Sequence, residues 1–333
     1  MPKPDKMEPG NGEKRADVSV IVVNWNGGAL LAKCLQHLDA QTVQPRHILV
    51  VDNASSDDSA ACADHHPNVT LYRMDANLGF AAGNNFAIAQ CATGYIVLLN
   101  PDAFPEPDWL ERLLAAAGSH PDVAAFGSRQ LIHSSPDILD GIGDCYHMTG
   151  LVWRERHGAR QQAVDLVEKE IFAPCAAAAL YRRQAVVDLG GFDEDYFCYL
   201  EDVDLGFRIR LAGHKAMYVS DAVVYHVGSA TTGGQDSDFS VYHGHRNLEW
   251  TFIKNMPTAL FFALLPLHLM MVVMIVARFA FRGQGRVIFR AKRDAVRGLP
   301  RAWAKRQKTQ ATRVATAQDI WRVLEKGMTR PKW

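Results

Sequence analysis

The amino-acid sequence predicts an α/β fold with a mixed, mainly parallel sheet flanked by helices. Short β-branched runs alternate with helical stretches through the first hundred residues, and this alternation is typical of βαβ units. Three predicted strands end in clusters of Asn, Asp and Gly, at the edge where open α/β sheets bind ligands. The 333 residues are 48% hydrophobic and 22% charged, which excludes a disordered, collagen-like or disulfide-scaffold chain.

Four strands and two helices are predicted before residue 102. Residues 18–23 are rich in valine and isoleucine, as in a strand buried on both faces. The elements that follow are a helix over 29–40, strands over 47–51 and 69–73, a helix over 80–91 and a strand over 95–99.

The second half of the chain is less regular. Residues 127–173 are interpreted as mixed β structure or loops that extend the sheet. Asp204 and Arg208 lie four residues apart within a helical pattern and can pair across one turn. The remaining predicted elements are an ordered segment over 175–181, a helix from Glu201, and two short strands over 216–219 and 223–225.

Charge is distributed unevenly, although 36 basic and 36 acidic side chains give a formal net charge of zero. Residues 278–333 contain 16 Lys and Arg but three acidic residues, so this end carries +13 and the rest of the chain −13. The asymmetry indicates that one end contacts an anionic surface. The zero total argues against a protein coated uniformly in basic residues for nucleic acid.

The most apolar segment precedes this basic end. The 23 residues between Lys254 and Arg278 are uncharged, and a transmembrane helix needs about 20. Pro266 and His268 weaken a full span, so a kinked helix, an interfacial hairpin and a buried dimerisation element stay open, and a membrane-embedded helix is preferred. The basic stretch that follows is interleaved with apolar residues, as in helices attracted to anionic lipid. No recognised nucleic-acid motif accompanies it, so we expect a membrane partner and no nucleic acid.

Cysteines and termini indicate the compartment and the organisation of the chain. The six cysteines are scattered without a CxxC pair, and we interpret them as buried thiols of a reducing compartment. Residues 1–16 are polar and lack the apolar core of a signal peptide, so we expect a flexible arm. We predict a catalytic domain over 17–252 and a helical membrane-association region over 253–333. The expected location is the cytoplasmic face of the plasma membrane.

Polar clusters at residues 24–26, 52–58 and 100–102 follow three predicted strands. Ordinary turn chemistry explains one such cluster, but three at one sheet edge indicate a site for a phosphorylated nucleotide. Asp102 in the third cluster could hold a hard cation that bridges diphosphates, or could belong to an Asx turn. His226 follows a later strand, and a lone histidine there is more often a packed residue than a metal ligand.

The segment YFCYLEDVDLGFR carries the strongest chemical signal. Glu201 and Asp202 lie between an aromatic-rich run and a helix start, where partial desolvation raises a carboxylate's pKa and makes it a better proton acceptor. The alternative is an acidic first turn stabilised by the helix dipole. For Asp204 we favour this structural role, paired with Arg208.

Taken together, these segments resemble the family-2 glycosyltransferases of the GT-A (Rossmann-like) fold, in particular their rhamnosyltransferase-like branch. The resemblance covers about residues 18–247. It rests on motifs in the family's order: VSVIVVNWNGG, VVDNASSDDS, NLGFAAGNNFAI, LLNPDA, LEDVDLGFR, YHVGSAT and HRN.

The resemblance implies a role for each motif residue. Asp202 would be the general base, and Glu201 would support the acceptor or orient Asp202. A Mg²⁺ or Mn²⁺ ion would be held by Asp102 and His226. The residues implied in donor binding are Asn24, Asp52, Asn77, Phe80, Asn85, Asn100 and Arg246.

The implied reaction is inverting sugar transfer from a nucleoside-diphosphate sugar. dTDP-rhamnose is the preferred donor and a UDP-sugar the alternative. A membrane partner suggests a lipid-linked acceptor such as a polyprenyl-diphosphate sugar, in cell-surface polysaccharide synthesis, and a homodimer is compatible with the apolar segment. A catalytically inactive nucleotide-binding or scaffold protein is the alternative of another class. A sugar nucleotidyltransferase is disfavoured because NWNGG has no basic residue beside it before Lys33.

Two positions depart from the family pattern. Asn100 replaces the first Asp of the metal-binding DxD motif, which implies weaker metal affinity. Ala176 stands where relatives usually carry Gly, and its extra methyl group would narrow the acceptor site.

Overall fold

The computed structural model describes residues 15–64, 66–228, 233–234 and 236–327. Residues 1–14 of the arm expected over residues 1–16 lie outside this part of the chain. Residues 229–231 of the YHVGSAT motif lie outside it as well.

Within the described residues, helices and strands alternate first and helices alone follow. In chain order the elements are β1 (Ala16–Asn24), α1 (Ala29–Asp39), β2 (Pro45–Asp52), α2 (Ala61–Asp64), β3 (Val69–Arg73), α3 (Gly79–Gln90), β4 (Tyr95–Leu99), β5 (Ala103–Pro105), α4 (Trp109–Ser119), β6 (Val123–Ile132), β7 (Ser135–Gly141), β8 (Asp144–Tyr146), β9 (Val152–Arg154), β10 (Lys169–Ile171), β11 (Ala178–Arg182), α5 (Arg183–Asp188), α6 (Glu201–Leu211), β12 (Lys215–His226), α7 (Asp238–Asn255), α8 (Thr258–Phe279), α9 (Gly285–Arg297), α10 (Leu299–Ala311) and α11 (Ala317–Val323). A π-helical turn over Ala280–Gln284 joins α8 to α9.

The main sheet has the order β10-β12-β6-β11-β4-β1-β2-β3. The parallel pairings are β1–β2, β1–β4, β2–β3 and β6–β12. They contain more paired residues than the shorter antiparallel pairings, so the predicted mixed, mainly parallel sheet is confirmed. Alternate side chains of β1 enter two separate cores. Val20 and Val22 pack with α1 and α4 on one face, and Ile21 packs with α3 on the other. Burial on both faces explains the Val- and Ile-rich run.

The predicted strands over 69–73 and 95–99 have the observed bounds of β3 and β4. The region 127–173 contains the end of β6 and the short strands β7 to β10, as its irregular pattern indicates. One expectation differs: the two strands predicted over 216–219 and 223–225 are a single strand, β12. A register shift between Val219 and Val223 interrupts its pairing with β6, which explains the break in the apolar pattern.

The C-terminal helices share a core with the sheet domain. Phe207 of α6, Phe252 of α7, Phe261 of α8 and Ile320 of α11 belong to one buried cluster. The boundary expected after residue 252 falls inside α7, which therefore belongs to both predicted regions.

Ion pairs join α10 to the loop before α6. Lys305 contacts Asp193 and lies 2.6 Å from Asp195, and Arg301 lies 2.9 Å from Asp195. Lys254 of α7 reaches the same loop, with its Nζ 2.5 Å from Asp193 Oδ2. The loop is therefore held by two C-terminal helices.

Helix α8 packs on the protein with one face only. Its buried positions recur every three or four residues, and the ring of His268 stacks on Phe252 with centroids 3.9 Å apart. The opposite face exposes large apolar side chains: Phe262, Leu269, Met270, Val273 and Met274. Length and composition alone would allow this helix to cross a membrane. Gly283, with φ of 85°, breaks the helical path before α9.

Candidate active site

A cavity of about 690 Å³ lies at the carboxyl ends of the parallel strands. Its wall includes Val23 at the end of β1, Asn53 after β2, the segment 100–102 after β4, and His226 at the end of β12. This is the sheet edge at which the polar clusters were expected to meet.

Asp102 and His226 are brought together by the pairing of β5 with β12, in which His226 lies opposite Ala103. His226 Nε2 lies 3.2 Å from Asp102 Oδ1, and the backbone N–H of Gly228 donates to Asp102 Oδ2 at 3.1 Å. The other ring nitrogen, Nδ1, lies 2.8 Å from Asp140 Oδ2. The imidazole is thus fixed between two carboxylates.

This pair fits a divalent cation. His226 Nε2 is buried and makes no hydrogen bond within the described residues, although it faces the Asp102 carboxylate. Burial alone would lower the pKa of His226, but Asp102 and Asp140 raise it to about 9. Burial would likewise raise the pKa of Asp102, but His226 holds it below its ordinary value. A cation can take the place of the proton between these groups.

Asp202 is positioned by a tight loop at the start of α6. Phe197, Tyr199 and Leu200 have positive φ angles of 64°, 68° and 67° and turn the chain into the helix. The Asp202 carboxylate then accepts hydrogen bonds from the N–H groups of Val203 at 2.8 Å and Ala176 at 3.0 Å. Burial raises its pKa despite these donors, as expected of a proton acceptor.

A second carboxylate, Asp144, faces Asp202 in the cavity. Ligand atoms of Asp144, Cys175 and Asp202 lie within 4.8 Å of one another. Burial and the neighbouring Asp202 raise the pKa of Asp144 to about 8. Arg154 lies beside this group, because its guanidinium contacts Cys175 Sγ at 2.8 Å and Asp140 Oδ2 at 2.5 Å. It links the Asp202 side of the cavity to the His226 side.

Glu201 and Asp204 flank Asp202 in sequence but have other surroundings. Glu201 is buried, its Oε2 has no hydrogen-bond partner within the described residues, and burial together with Asp202 raises its pKa. Asp204 lies 2.8 Å from Arg208 and 2.6 Å from Lys254, which confirms its predicted structural pairing.

Asn77, Phe80 and Asn100 line the cavity, whereas Asn24, which was also expected to contact the donor, does not line it, and its role in donor binding stays a prediction. Asn24 is fully buried and donates from Nδ2 to Asp52 Oδ1 at 3.0 Å. Its contacts therefore position Asp52, which is itself buried and does not line the cavity.

Asn85 and Arg246 are also placed away from the cavity. The Asn85 amide bonds both the N–H and the C=O of Phe192. The Arg246 guanidinium lies 4.6 Å from the Trp250 ring centre and donates to Tyr196 O. In this structure both side chains support the loop before α6, and the expected role of Asn85 and Arg246 in donor binding stays a prediction.

The sequence patterns did not identify Asp140, Asp144 and Arg154 as candidate site residues. They come from β7, β8 and β9, in a region without a motif, and only tertiary pairing brings them to the cavity. The signal available was the presence of charged residues in an otherwise irregular segment, and it does not identify particular residues.

Comparison with known proteins identifies the family. The model of "Glycosyl transferase family 2" matches residues 19–190. The chain belongs to this family. It is 30% identical over 254 residues to the N-acetylglucosaminyl-diphospho-decaprenol L-rhamnosyltransferase of Mycobacterium tuberculosis, covering 67% of this chain and 80% of that relative. It is 26% identical to the O-antigen chain rhamnosyltransferase RfbN of Salmonella typhimurium, covering 63% of this chain and 66% of that relative. The resemblance to a rhamnosyltransferase-like branch is confirmed.

Solved structures of other glycosyltransferases share the fold of this family-2 member. The mannosyltransferase PcManGT of Pyrobaculum calidifontis, solved with GDP-Man and Mn²⁺, aligns with a TM-score of 0.53 and 19% identity over 93% of this chain and 88% of that one. GalNAc-T7, solved with UDP, GalNAc and Mn²⁺, aligns with a TM-score of 0.58 and 14% identity over 73% of this chain and 48% of that one. The predicted GT-A fold is confirmed.

Proposed function

We propose that this family-2 glycosyltransferase moves a sugar from a nucleoside-diphosphate donor to a lipid-linked saccharide, with inversion, in cell-surface polysaccharide synthesis. The observation that carries the proposal is that Asp202 shares one cavity with the Asp102–His226 pair. A proton acceptor for the attacking hydroxyl and a cation for the leaving diphosphate would both assist a single displacement at a sugar diphosphate.

The preferred donor is dTDP-rhamnose, and the names of the relatives support it, because the Mycobacterium tuberculosis and Salmonella typhimurium proteins are rhamnosyltransferases. The name of the Mycobacterium tuberculosis protein also includes a diphospho-decaprenol group, which supports a polyprenyl-diphosphate sugar as the acceptor of this protein. A UDP-sugar stays the alternative donor.

In the proposed reaction, Asp202 is the group that accepts the proton of the acceptor hydroxyl. The acceptor oxygen forms its bond to the anomeric carbon as the bond from that carbon to the diphosphate breaks, and Asp202 takes the hydroxyl proton. Burial and the neighbouring Asp202 raise the pKa of Asp144, which favours a state in which the two facing carboxyl groups hold one proton between them and one negative charge remains to accept the hydroxyl proton. Burial raises the pKa of Asp202 and strengthens it as a base.

Asp102 and His226 would hold Mg²⁺ or Mn²⁺. Mn²⁺ in the structures of PcManGT and GalNAc-T7 supports a divalent ion. When bound, the cation supplies positive charge that stabilises the leaving diphosphate. Asn100 lines the same cavity but offers an amide in place of a second carboxylate, so we expect weaker metal binding.

The test replaces Asp202 by asparagine. The variant should bind dTDP like the wild type in calorimetry but lose 10²–10⁴-fold in transfer of rhamnose from dTDP-rhamnose, because removal of a general base costs about that much. Asp188→Asn, on the exposed end of α5, is the control and should keep full activity.

Four results would contradict this proposal or a part of it. An active Asp202→Asn enzyme would remove Asp202 from the base role. A product with the anomeric configuration of the donor would exclude inversion, and full activity in excess chelator would exclude the metal. If no nucleotide sugar supports transfer with membrane extract as acceptor source, the inactive binding protein is the better description.

The C-terminal helices suggest attachment to the cytoplasmic face of the plasma membrane. The exposed apolar face of α8 lies next to the basic helices α9 and α10, a combination that favours anionic lipid. Because the other face of α8 is packed in the protein, we propose a helix embedded along the membrane surface instead of a spanning one. Flotation with anionic vesicles tests this, and equal indifference to anionic and neutral vesicles would refute it. A homodimer stays a prediction.

A further inference from the structure

The cavity has a second, apolar end that the transfer reaction does not use. Besides the carboxylates near Asp202, the lining includes the buried residues Val241, Leu248 and Phe279, which belong to one hydrophobic cluster and form the apolar end. The first two belong to α7, and Phe279 is the last residue of α8. The lining of the same cavity therefore has a charged part and an apolar part.

One face of α7 forms the wall of this apolar end. Val241, Gly244, His245 and Leu248 follow the i, i+3, i+4, i+7 spacing of a single helix face. A Cβ atom built on Gly244 meets no atom within 4 Å, so the absence of a side chain leaves open space in the wall. Burial and the nearby Lys292 lower the pKa of His245 to about 3, so its imidazole is neutral. This wall carries no charge.

The apolar end also lies beside the surface proposed to contact the membrane. Two residues after Phe279, the side chain of Phe281 is 92% exposed, and the exposed apolar face of α8 leads to the same point. Arg286 and Arg290, in the first two turns of α9, are exposed next to it. Apolar side chains line the cavity and the adjacent surface, and basic groups lie nearby. This combination suits the binding of an amphiphile with an anionic head group.

We propose that this apolar end binds the first isoprene units of the lipid-linked acceptor, while the acceptor sugar lies at Asp202. The inference rests on the proposed function and adds a subsite that selects the lipid. A free saccharide has no hydrocarbon to fill the space beside Gly244, and a nucleotide has no apolar chain. The polyprenyl chain is the component of the reaction whose chemistry fits the wall of α7.

The test fills the space beside Gly244. Gly244→Ala, Gly244→Leu and Gly244→Phe add increasing volume at a helix position where a Cβ atom meets no neighbour. The matched control is Gly118→Phe, because Gly118 lies in α4, does not line the cavity and also has open space around its Cβ position. Thermal unfolding verifies that each variant is folded.

Two acceptors separate the subsite from the catalytic step: N-acetylglucosaminyl diphosphate esterified with decaprenol, and the same head group esterified with propanol. Gly244→Phe should lower kcat/KM for the decaprenyl acceptor at least tenfold, with Leu intermediate, and leave the propyl acceptor within twofold. Gly118→Phe should change neither. Equal loss for both acceptors, or no loss for either, would overturn the subsite.

A binding measurement separates failure of the subsite from failure of the proposed reaction. Decaprenyl diphosphate in detergent should bind the wild type and bind Gly244→Phe at least tenfold more weakly. If the wild type transfers to neither acceptor but this difference in binding is found, the reaction assignment fails and the lipid subsite stands. Equal binding to both proteins would overturn the subsite even if transfer occurs.

Discussion

Replacement of Asp140 by asparagine should weaken Mn²⁺ binding without removing a proposed metal ligand. Asp140 Oδ2 lies 2.8 Å from His226 Nδ1 and 2.5 Å from Arg154 Nη1. It is buried, and it holds the imidazole so that Nε2 faces Asp102. Asparagine keeps the shape but loses the negative charge, and its amide NH₂ can approach Nδ1 and favour a proton on Nε2, the wrong tautomer for a metal ligand.

The expected loss is about 10–100-fold in Mn²⁺ affinity, which is the usual effect of removing the carboxylate partner of a metal-binding histidine. This corresponds to about 1.4–2.7 kcal/mol, since each tenfold change is about 1.4 kcal/mol. A value near the upper limit is expected here, because the variant also leaves Arg154 without its carboxylate beside the site. That unpaired cation repels a second positive charge.

Titration of Mn²⁺ followed by electron paramagnetic resonance at pH 7.5 measures the dissociation constant directly. Asp137→Asn is the matched control, because Asp137 lies on the same strand in an exposed ion pair with Arg160 and should leave Mn²⁺ affinity unchanged. If Asp140→Asn binds Mn²⁺ within twofold of the wild type while remaining folded, the proposed role of Asp140 in orienting His226 is refuted.

Two further predictions concern stability. Lys254→Met should lower the free energy of unfolding by about 3 kcal/mol in urea denaturation, the lower limit for a broken buried ion pair, because Asp193 and Asp204 lose their shared cation but keep Lys305 and Arg208. Lys215→Met at an exposed pair should cost less than about 1 kcal/mol. Burial lowers the pKa of His245 to about 3. The unfolded chain therefore takes up a proton below about pH 6.5 that the folded protein excludes. As the pH decreases below this value, the free energy of unfolding decreases by up to about 1.4 kcal/mol per pH unit. His245→Phe should therefore lose about 2 kcal/mol less than the wild type between pH 7.5 and 5, and parallel denaturation curves would contradict this.

The strands that form the nucleotide side of the fold could be predicted closely from the sequence. Their apolar runs are continuous because helices cover both faces of the sheet, and the Asn and Asp residues that end them remain at one edge. Asp204 could be assigned to structure because its partner Arg208 lies one helical turn away. Local spacing was sufficient for these elements.

The remainder of the site depends on contacts between distant parts of the chain. Asp140 enters the cavity because β6 pairs with β12 and carries β7 beside it, and Asp144 and Arg154 enter it because β8 pairs with β9 and Asp144 bridges to Ala173. No local pattern encodes these pairings. Asn24 and Asn85 have the residue type of ligand-binding groups, but both polar atoms of the Asn85 amide are bonded to Phe192 and Asn24 Nδ2 is bonded to Asp52, while Asn24 Oδ1 is buried without a partner among the described residues. A sequence motif identifies the residue, and only packing determines whether its polar atoms remain available.

The ion pairs between α10 and the loop before α6 fix more than the loop. Because Lys305 and Arg301 of α10 hold Asp193 and Asp195, the loop that leads to Asp202 is tied to a basic helix. If α10 lies on a bilayer as proposed, these ion pairs would fix the distance of Asp202 from the lipid head groups. The distance between the acceptor sugar and its lipid anchor would then contribute to acceptor specificity.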